Sequence, residues 1–502
     1  MRALGAVLEN IGYAEVYGAV VEGSVVARDA AAARRRTGRL VPPERDLVMA
    51  LAFGDKVCLS AAGEGMTPEA VPGLVELIEA LVEAGLALAW EGAWQTAGWV
   101  VVPNKGGYLI VDRFVSYGGE EPRVYLGDDS LMFSGLISVR KGARVLDLAT
   151  GCGIYAVLAS DGASHVVATD IDERAVRFCA LNVELNESTA RLAHPVSVRR
   201  GDLYAPVGEE QFDLIVTLAP YVPSIGGAVG VEEGRADVPF FANGGTDGLA
   251  LIRRILEGLP EHLAPGGEFV ALMQLLLDRE GCPIVAGDIR RVIDGTPFGS
   301  SPAARLTLSR FHSPWPYALE LAQMLDYGRT APHPASADLA AKLVESWRAM
   351  GVAGVATGIL RIWDTRERLE SVPAERERAG SVPSGSQAGE RWLCRTPGEF
   401  RVIAAGSWWS PRDVPRLANG VELVASEGGM AMRDDSRNIA NLLDPAVGRL
   451  VAEFDGVRTV SEAVGVAWPE GDPGRQLSLV DVAIERCRDL EVEGLLMRAV
   501  EG

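Results

Sequence analysis

Val145-Leu146-Asp147-Leu148-Ala149-Thr150-Gly151-Cys152-Gly153 is the stretch on which the reading of this chain turns. Apolar residues of a buried strand run into a glycine-bearing turn, and Ile154-Tyr155-Ala156-Val157-Leu158-Ala159 continues as a helix. Glycine accepts left-handed backbone and lacks the side chain that would hold a ligand off, so Gly151 and Gly153 permit close approach. The helix that follows aims its unpaired amides at the same place. Working outward, strands at 144–149, 165–169, 196–200, 212–218 and 268–274 alternate with helices at 154–161, 172–185 and 247–262. That alternation predicts an α/β fold with a doubly wound, Rossmann-like parallel sheet. Apolar segments at 305–310 and 354–363 are expected to complete it. Such sheets bind ligands at the carboxyl ends of their strands, where the order reverses, and residues 149–153 sit there.

The other strand ends carry polar residues in a matching order. Asp170 follows Val166-Val167-Ala168-Thr169, about twenty residues after the turn, where an acid accepts the hydroxyl protons of a ribose. Asp202, in Gly201-Asp202-Leu203, is placed to reach an adenine amine. The strand at Phe212 ends in Thr217-Leu218-Ala219-Pro220-Tyr221-Val222-Pro223. Taken singly, Asp170 serves equally as a helix N-cap and Asp202 as a solvated turn residue. The turn also fits the dinucleotide pattern GxGxx(G/A), so two kinds of adenosine-bearing cofactor stay open.

These segments resemble the HemK/PrmC-like branch (methyltransferase small domain) of class I S-adenosylmethionine (SAM)-dependent methyltransferases. VLDLATGCG (145–153), VVATDIDERAVRFCALNVELN (166–186), FDLIVTLAPYVP (212–223), ANGGTDGLALIRRIL (242–256) and LAPGGEFVALM (263–273) carry the likeness, which spans about 125–275. An N-terminal helical module ahead of Gly127-Asp128-Asp129-Ser130-Leu131 is similar to an actinobacterial group of these enzymes. Asp147 separates the cofactors, since methyltransferases of this kind place an acid there for the turn and the methionine amine. The resemblance implies SAM as cofactor. It implies contacts from Asp147, Ala149, Gly151, Gly153, Asp170, Ile171, Asp202, Leu203 and Leu218. Ala149 stands where the family has a glycine. Phe133 is implied near the cofactor as part of a lid, with Pro220 and Tyr221 shaping the substrate pocket.

The departure lies in the acceptor motif. The family's Asn-Pro-Pro-Tyr reads Leu218-Ala219-Pro220-Tyr221 here, and leucine cannot accept the N–H of a planar amide. The sequence therefore points to methylation of a small natural product or biosynthetic peptide at oxygen, carbon or an unusual nitrogen. Protein glutamine or amide N-methylation is the alternative, and a non-catalytic SAM- or peptide-binding module is a third reading. Methyl transfer needs an in-line nucleophile and, for some acceptors, a base. Tyr221 and His312, the latter between Phe311 and Trp315, are the catalytic candidates.

With 502 residues, 48% of them hydrophobic, the chain can bury several cores. Residues 1–105 read as a helical, winged-helix-like module, with a helix from Thr67-Pro68 and a hairpin over 86–90 and 94–102. Residues 106–365 hold a Gly-rich lead-in and the methyltransferase domain, and 366–390 has linker composition. Residues 391–502 form a second winged-helix-like module, with helices expected at 446–454, 459–467 and 479–490. A net charge of −20 disfavours nucleic acid as a partner. A small molecule or peptide is the expected substrate, and the modules are compatible with a homodimer. Six scattered cysteines and five histidines form no metal-ligand spacing, so no metal is expected. The absence of a long uncharged apolar run implies no membrane span and a cytoplasmic setting.

Overall fold

The computed structural model describes residues 1–20, 35–40, 42–58, 71–90, 93–104, 107–113, 123–224, 240–279, 281–295, 303–312, 314–325 and 334–364. Farther on it describes 391–395, 400–404, 415–417, 421–426, 429–434, 439–442, 450–454, 460–467 and 496–498.

Among the described residues the N-terminal region begins with α1 (Arg2–Asn10), α2 (Tyr13–Val20), α3 (Pro42–Phe53) and α4 (Leu74–Glu83). In α4, Leu74, Leu77, Ile78 and Leu81 recur at helical spacing and are buried. Strands β1 (Val57–Cys58), β2 (Ala87–Trp90) and β3 (Ala93–Thr96) form a small sheet in the order β1-β3-β2. The strand expected over 94–102 is in fact broken at Gly98, whose φ of +79° turns the chain. Beyond it, β4 (Trp99–Asn104) pairs antiparallel with β5 (Gly107–Asp112). The lead-in that reads as a Gly-rich connection thus begins with a buried strand, Tyr108-Leu109-Ile110-Val111.

The short helix α5 (Asp128–Ser134) precedes the central sheet. The alternating units follow: β6 (Ala143–Leu148), α6 (Ile154–Ala159), β7 (Ala163–Asp170), α7 (Glu173–Ser188), β8 (Val196–Arg200), β9 (Phe212–Thr217), α8 (Ala250–His262) and β10 (Leu263–Leu277). Then come α9 (Ala286–Gly295), β11 (Ala303–His312), α10 (Pro314–Leu325), α11 (Pro334–Ala349) and β12 (Gly354–Trp363). Strands β13 (Arg391–Arg395) and β14 (Phe400–Ala404) complete a nine-stranded sheet in the order β13-β14-β11-β12-β10-β9-β6-β7-β8. Its half from β10 to β8 is parallel throughout, which bears out the Rossmann-like reading. β12 runs antiparallel to both β10 and β11. Strand β14 pairs parallel with β11, and β13 pairs antiparallel with β14.

Alternate residues of the parallel strands feed two cores. Val145, Val166, Leu214 and Val216 face α6, α7 and the N-terminal region, while Leu146, Val167 and Ile215 face α8. The linker and the helix expected at 479–490 lie outside the described residues. Among the described residues no helix is long and apolar enough to cross a membrane.

Candidate functional site

Where β6 and β9 leave the sheet side by side, the chain opens a cavity of about 370 Å³ at the carboxyl ends of the parallel strands. That volume lies in the range of about 300–1,000 Å³ usual for small-molecule sites.

Its floor is the turn after β6. Asp147 is fully buried; its Oδ2 accepts from Thr150 Oγ1 at 2.5 Å and from Ala156 N at 3.0 Å. Its Oδ1 is buried without a partner, and burial pushes the carboxyl up to about 7. Asp147 therefore lies beneath the cavity and ties the turn to the helix. Ala149, which lines the cavity, has a φ of +59°. The alanine in place of a glycine thus adds more than a methyl group: a non-glycine residue in this region costs roughly 1–2 kcal/mol. Gly151 lines the cavity at φ +55°, with open space where a Cβ would project. Gly153 answers to a different constraint: its Cβ would lie 2.6 Å from Cys179 Sγ of α7. Glycine at 153 serves helix packing, and the residue is not among those lining the cavity.

Asp170, at the tip of β7, accepts from Gly151 N at 2.9 Å through Oδ2 and from Asp172 N at 2.9 Å through Oδ1. Burial raises its carboxyl above the usual range, and the two backbone donors offset part of that rise. These bonds hold both oxygens at the cavity wall with lone pairs to spare. Ile171, half exposed, offers an apolar surface beside it. Asp202 and Leu203 line the next part of the wall. Asp202 Oδ2 accepts from Arg254 Nη2 at 2.7 Å, and Leu203 is held at φ +48°. Two strained non-glycine residues thus face one cavity, a pattern that clusters at ligand sites.

The far end is apolar, with Leu218 and Pro220 on the wall. Tyr221 is not on it. Its hydroxyl donates to Asp129 Oδ2 at 2.6 Å, and burial raises the phenol well above its ordinary range. A hydroxyl so engaged is no base at the cavity. Phe133 is fully buried and packs edge-on against Tyr155, with centroids 5.2 Å apart, so it lies behind the wall. His312, at the end of β11, packs against Tyr317 at 5.5 Å and does not reach the cavity. Trp315, which helps make it suggestive in sequence, and Tyr317 belong to a separate core with Trp347.

Among the lining residues that escape the sequence reading are Arg123, Tyr125, Phe240 and Phe241. Tyr125 stacks on Phe241, with centroids 5.1 Å apart and planes 10° apart. The Arg123 guanidinium lies 5.4 Å from the Phe240 ring and donates to Asp172 Oδ2 through Nε at 2.9 Å. Asp112, at the end of β5, accepts from Arg123 N at 2.8 Å and Val124 N at 2.9 Å. The aromatics in Arg123-Val124-Tyr125 and Phe240-Phe241 were the available signal, yet their pairing spans more than a hundred residues.

Residues 132–221 match the family described as ribosomal protein L11 methyltransferase (PrmA). A ribosomal protein uL3 glutamine methyltransferase of Bradyrhizobium diazoefficiens is 40% identical over 164 residues, 32% of this chain and 50% of that protein. A release factor glutamine methyltransferase of Gloeobacter violaceus is 38% identical over 130 residues, 25% of this chain and 44% of that protein. Another uL3 enzyme, from Bordetella pertussis, is 32% identical over 129 residues, 25% of this chain and 42% of that protein. The chain spans about half the length of the curated relatives it matches. Its central domain is of the SAM-dependent methyltransferase kind.

Proposed function

We propose that this chain is a SAM-dependent methyltransferase that modifies a polypeptide, with a side-chain amide of the glutamine type as acceptor. The observation that carries the cofactor is the Asp170 carboxylate pinned to Gly151 N at 2.9 Å on the cavity wall. The residues present fit SAM. A carboxylate faces the cavity for the ribose, an open glycine admits the ligand, and a buried Asp147 oxygen without a partner lies below the turn for the amine or a bridging water. When bound, SAM supplies an electrophilic methyl group on its sulfonium. The chain's own part is to hold the nucleophile in line and to exclude water, for which the Tyr125–Phe241 stack and Pro220 are suited. The polypeptide acceptor rests on the relatives, which are named as glutamine methyltransferases. Recognition of a polypeptide in a cytoplasmic setting falls to the flanking modules, which we read as winged-helix-like.

One observation favours a second reading. Leu218 stands on the cavity wall in the place of the family's asparagine, and an apolar wall suits an oxygen or carbon acceptor on a small natural product. Methyl-labelled SAM incubated with the purified chain and source-cell extract, then fractionated by size, separates the two. Label in polypeptide, recovered as N-methylglutamine after digestion, is the expected result. Label confined to small molecules overturns the polypeptide acceptor, and no label anywhere overturns the enzyme.

A further inference from the structure

We infer that Asn182 is a positioning residue of the cofactor turn, held in orientation by strand β5 of the N-terminal region; the inference rests on the SAM reading above. The buried face of α7 carries Ala175, Phe178, Cys179 and Val183, and on that apolar stripe two asparagines, Asn182 and Asn186, are fully buried. Buried amides persist where their hydrogen bonds are met, because an unmet one bears its full desolvation cost.

Both amides meet their bonds on the same strand. Asn182 Oδ1 accepts from Ile110 N at 2.6 Å, and Nδ2 donates to Ile110 O at 2.9 Å. One helical turn on, Asn186 Oδ1 accepts from Tyr108 N at 3.0 Å and Nδ2 donates to Tyr108 O at 2.8 Å. The two side chains imitate a neighbouring strand along the outer edge of β5. Their second donations diverge. Asn186 Nδ2 also reaches Asn182 O at 2.7 Å, inside its own helix. Asn182 Nδ2 instead reaches Cys152 O at 2.8 Å, in the turn between Gly151 and Gly153. Gly151 N is the donor that holds Asp170. The chain of contacts from Ile110 through Asn182 to Cys152 therefore ends one residue from Gly151, whose amide holds Asp170. Asn186 shares the clasp on β5 and lacks the link to the turn.

That difference makes the inference testable by calorimetric titration of the full chain with SAM, with melting temperature recorded for each variant. Asn182→Ala is expected to weaken SAM binding at least tenfold. Asn186→Ala is expected to lower the melting temperature comparably while keeping Kd within threefold of wild type. Equal shifts in Kd for both variants, or none for either, would make Asn182 a purely structural residue and overturn the inference. Should Asn182→Ala fail to fold, Asn182→Asp, compared with Asn186→Asp, repeats the test. Each keeps the acceptor for the β5 N–H and loses the donor to the β5 carbonyl, and only Asn182→Asp also loses the donor to Cys152 O. A wild-type chain that binds no SAM strikes the cofactor reading itself, which separates that failure from this one.

Discussion

At the end of the cavity beneath β6 and β7, a carboxylate is held by two backbone amides, a left-handed glycine leaves open space, and a second acid lies near an arginine. At the other end, beyond β9, the wall is Leu218, Pro220 and a stacked pair of rings. The first end is built by local sequence, with strand, turn and acid in fixed order. The second is assembled from segments far apart, and Leu218-Ala219-Pro220-Tyr221 departs from the Asn-Pro-Pro-Tyr motif that the sequence otherwise resembles. The polar end can thus stay constant in chemistry while the apolar end is rewritten, which is how one fold serves many acceptors.

The largest expected effect falls on the polar end. Asp170→Ala should weaken SAM binding by roughly 1.5–3 kcal/mol, the range for hydrogen bonds to a charged group, or about 10- to 150-fold in Kd. Unchanged affinity by calorimetry would remove Asp170 as the ribose acid. At the apolar end, Leu218→Asn restores an amide acceptor. It should raise kcat/KM toward a glutamine peptide by roughly 1–2 kcal/mol, about 5- to 30-fold. Steady-state kinetics showing a fall instead would mean that the apolar wall is itself the recognition element.

Asp147 sharpens the comparison through pH. Burial raises its carboxyl from 3.8 to about 7, so from about pH 4 to pH 7 the folded chain keeps a proton that the unfolded chain has lost. This residue's contribution to stability is present at low pH, falls as pH rises through that window, and is level above it. Asp147→Asn cannot titrate, so its melting temperature should gain on wild type between pH 4 and 7. Parallel melting curves across the window would contradict the buried, protonated acid. The smallest effect belongs to Ala149. Relief of its left-handed strain by Ala149→Gly is offset by the extra freedom of glycine in the unfolded chain, so a gain of at most about 1 kcal/mol is expected. Destabilisation on thermal melting would show that the methyl group packs.

The parallel half of the sheet and the polar end of the cavity are legible because their signals are local. Val145 to Gly153 and Val166 to Asp170 each encode strand, turn and polar tip within ten residues. Gly153 was legible as a glycine, but its reason, the Cys179 thiol behind it, is tertiary. Asn182 and Asn186 were hidden because a buried amide on an apolar helix face looks like an exposed residue until its partner strand is known. β5 looks like connection in the sequence because flanking glycines outweigh the run Tyr108-Leu109-Ile110-Val111. Tyr221 and His312 both lie off the cavity wall: aromatic surroundings mark packing as readily as catalysis, and only geometry tells whether a ring faces the cavity.

The most direct test is a crystal structure of the full chain with S-adenosylhomocysteine. Ribose hydroxyls on the Asp170 carboxylate, adenine beside Ile171 and the sulfur facing Leu218 and Pro220 are the expected result. A ligand bound with its ribose away from Asp170, or outside this cavity, would contradict the assignment of the site.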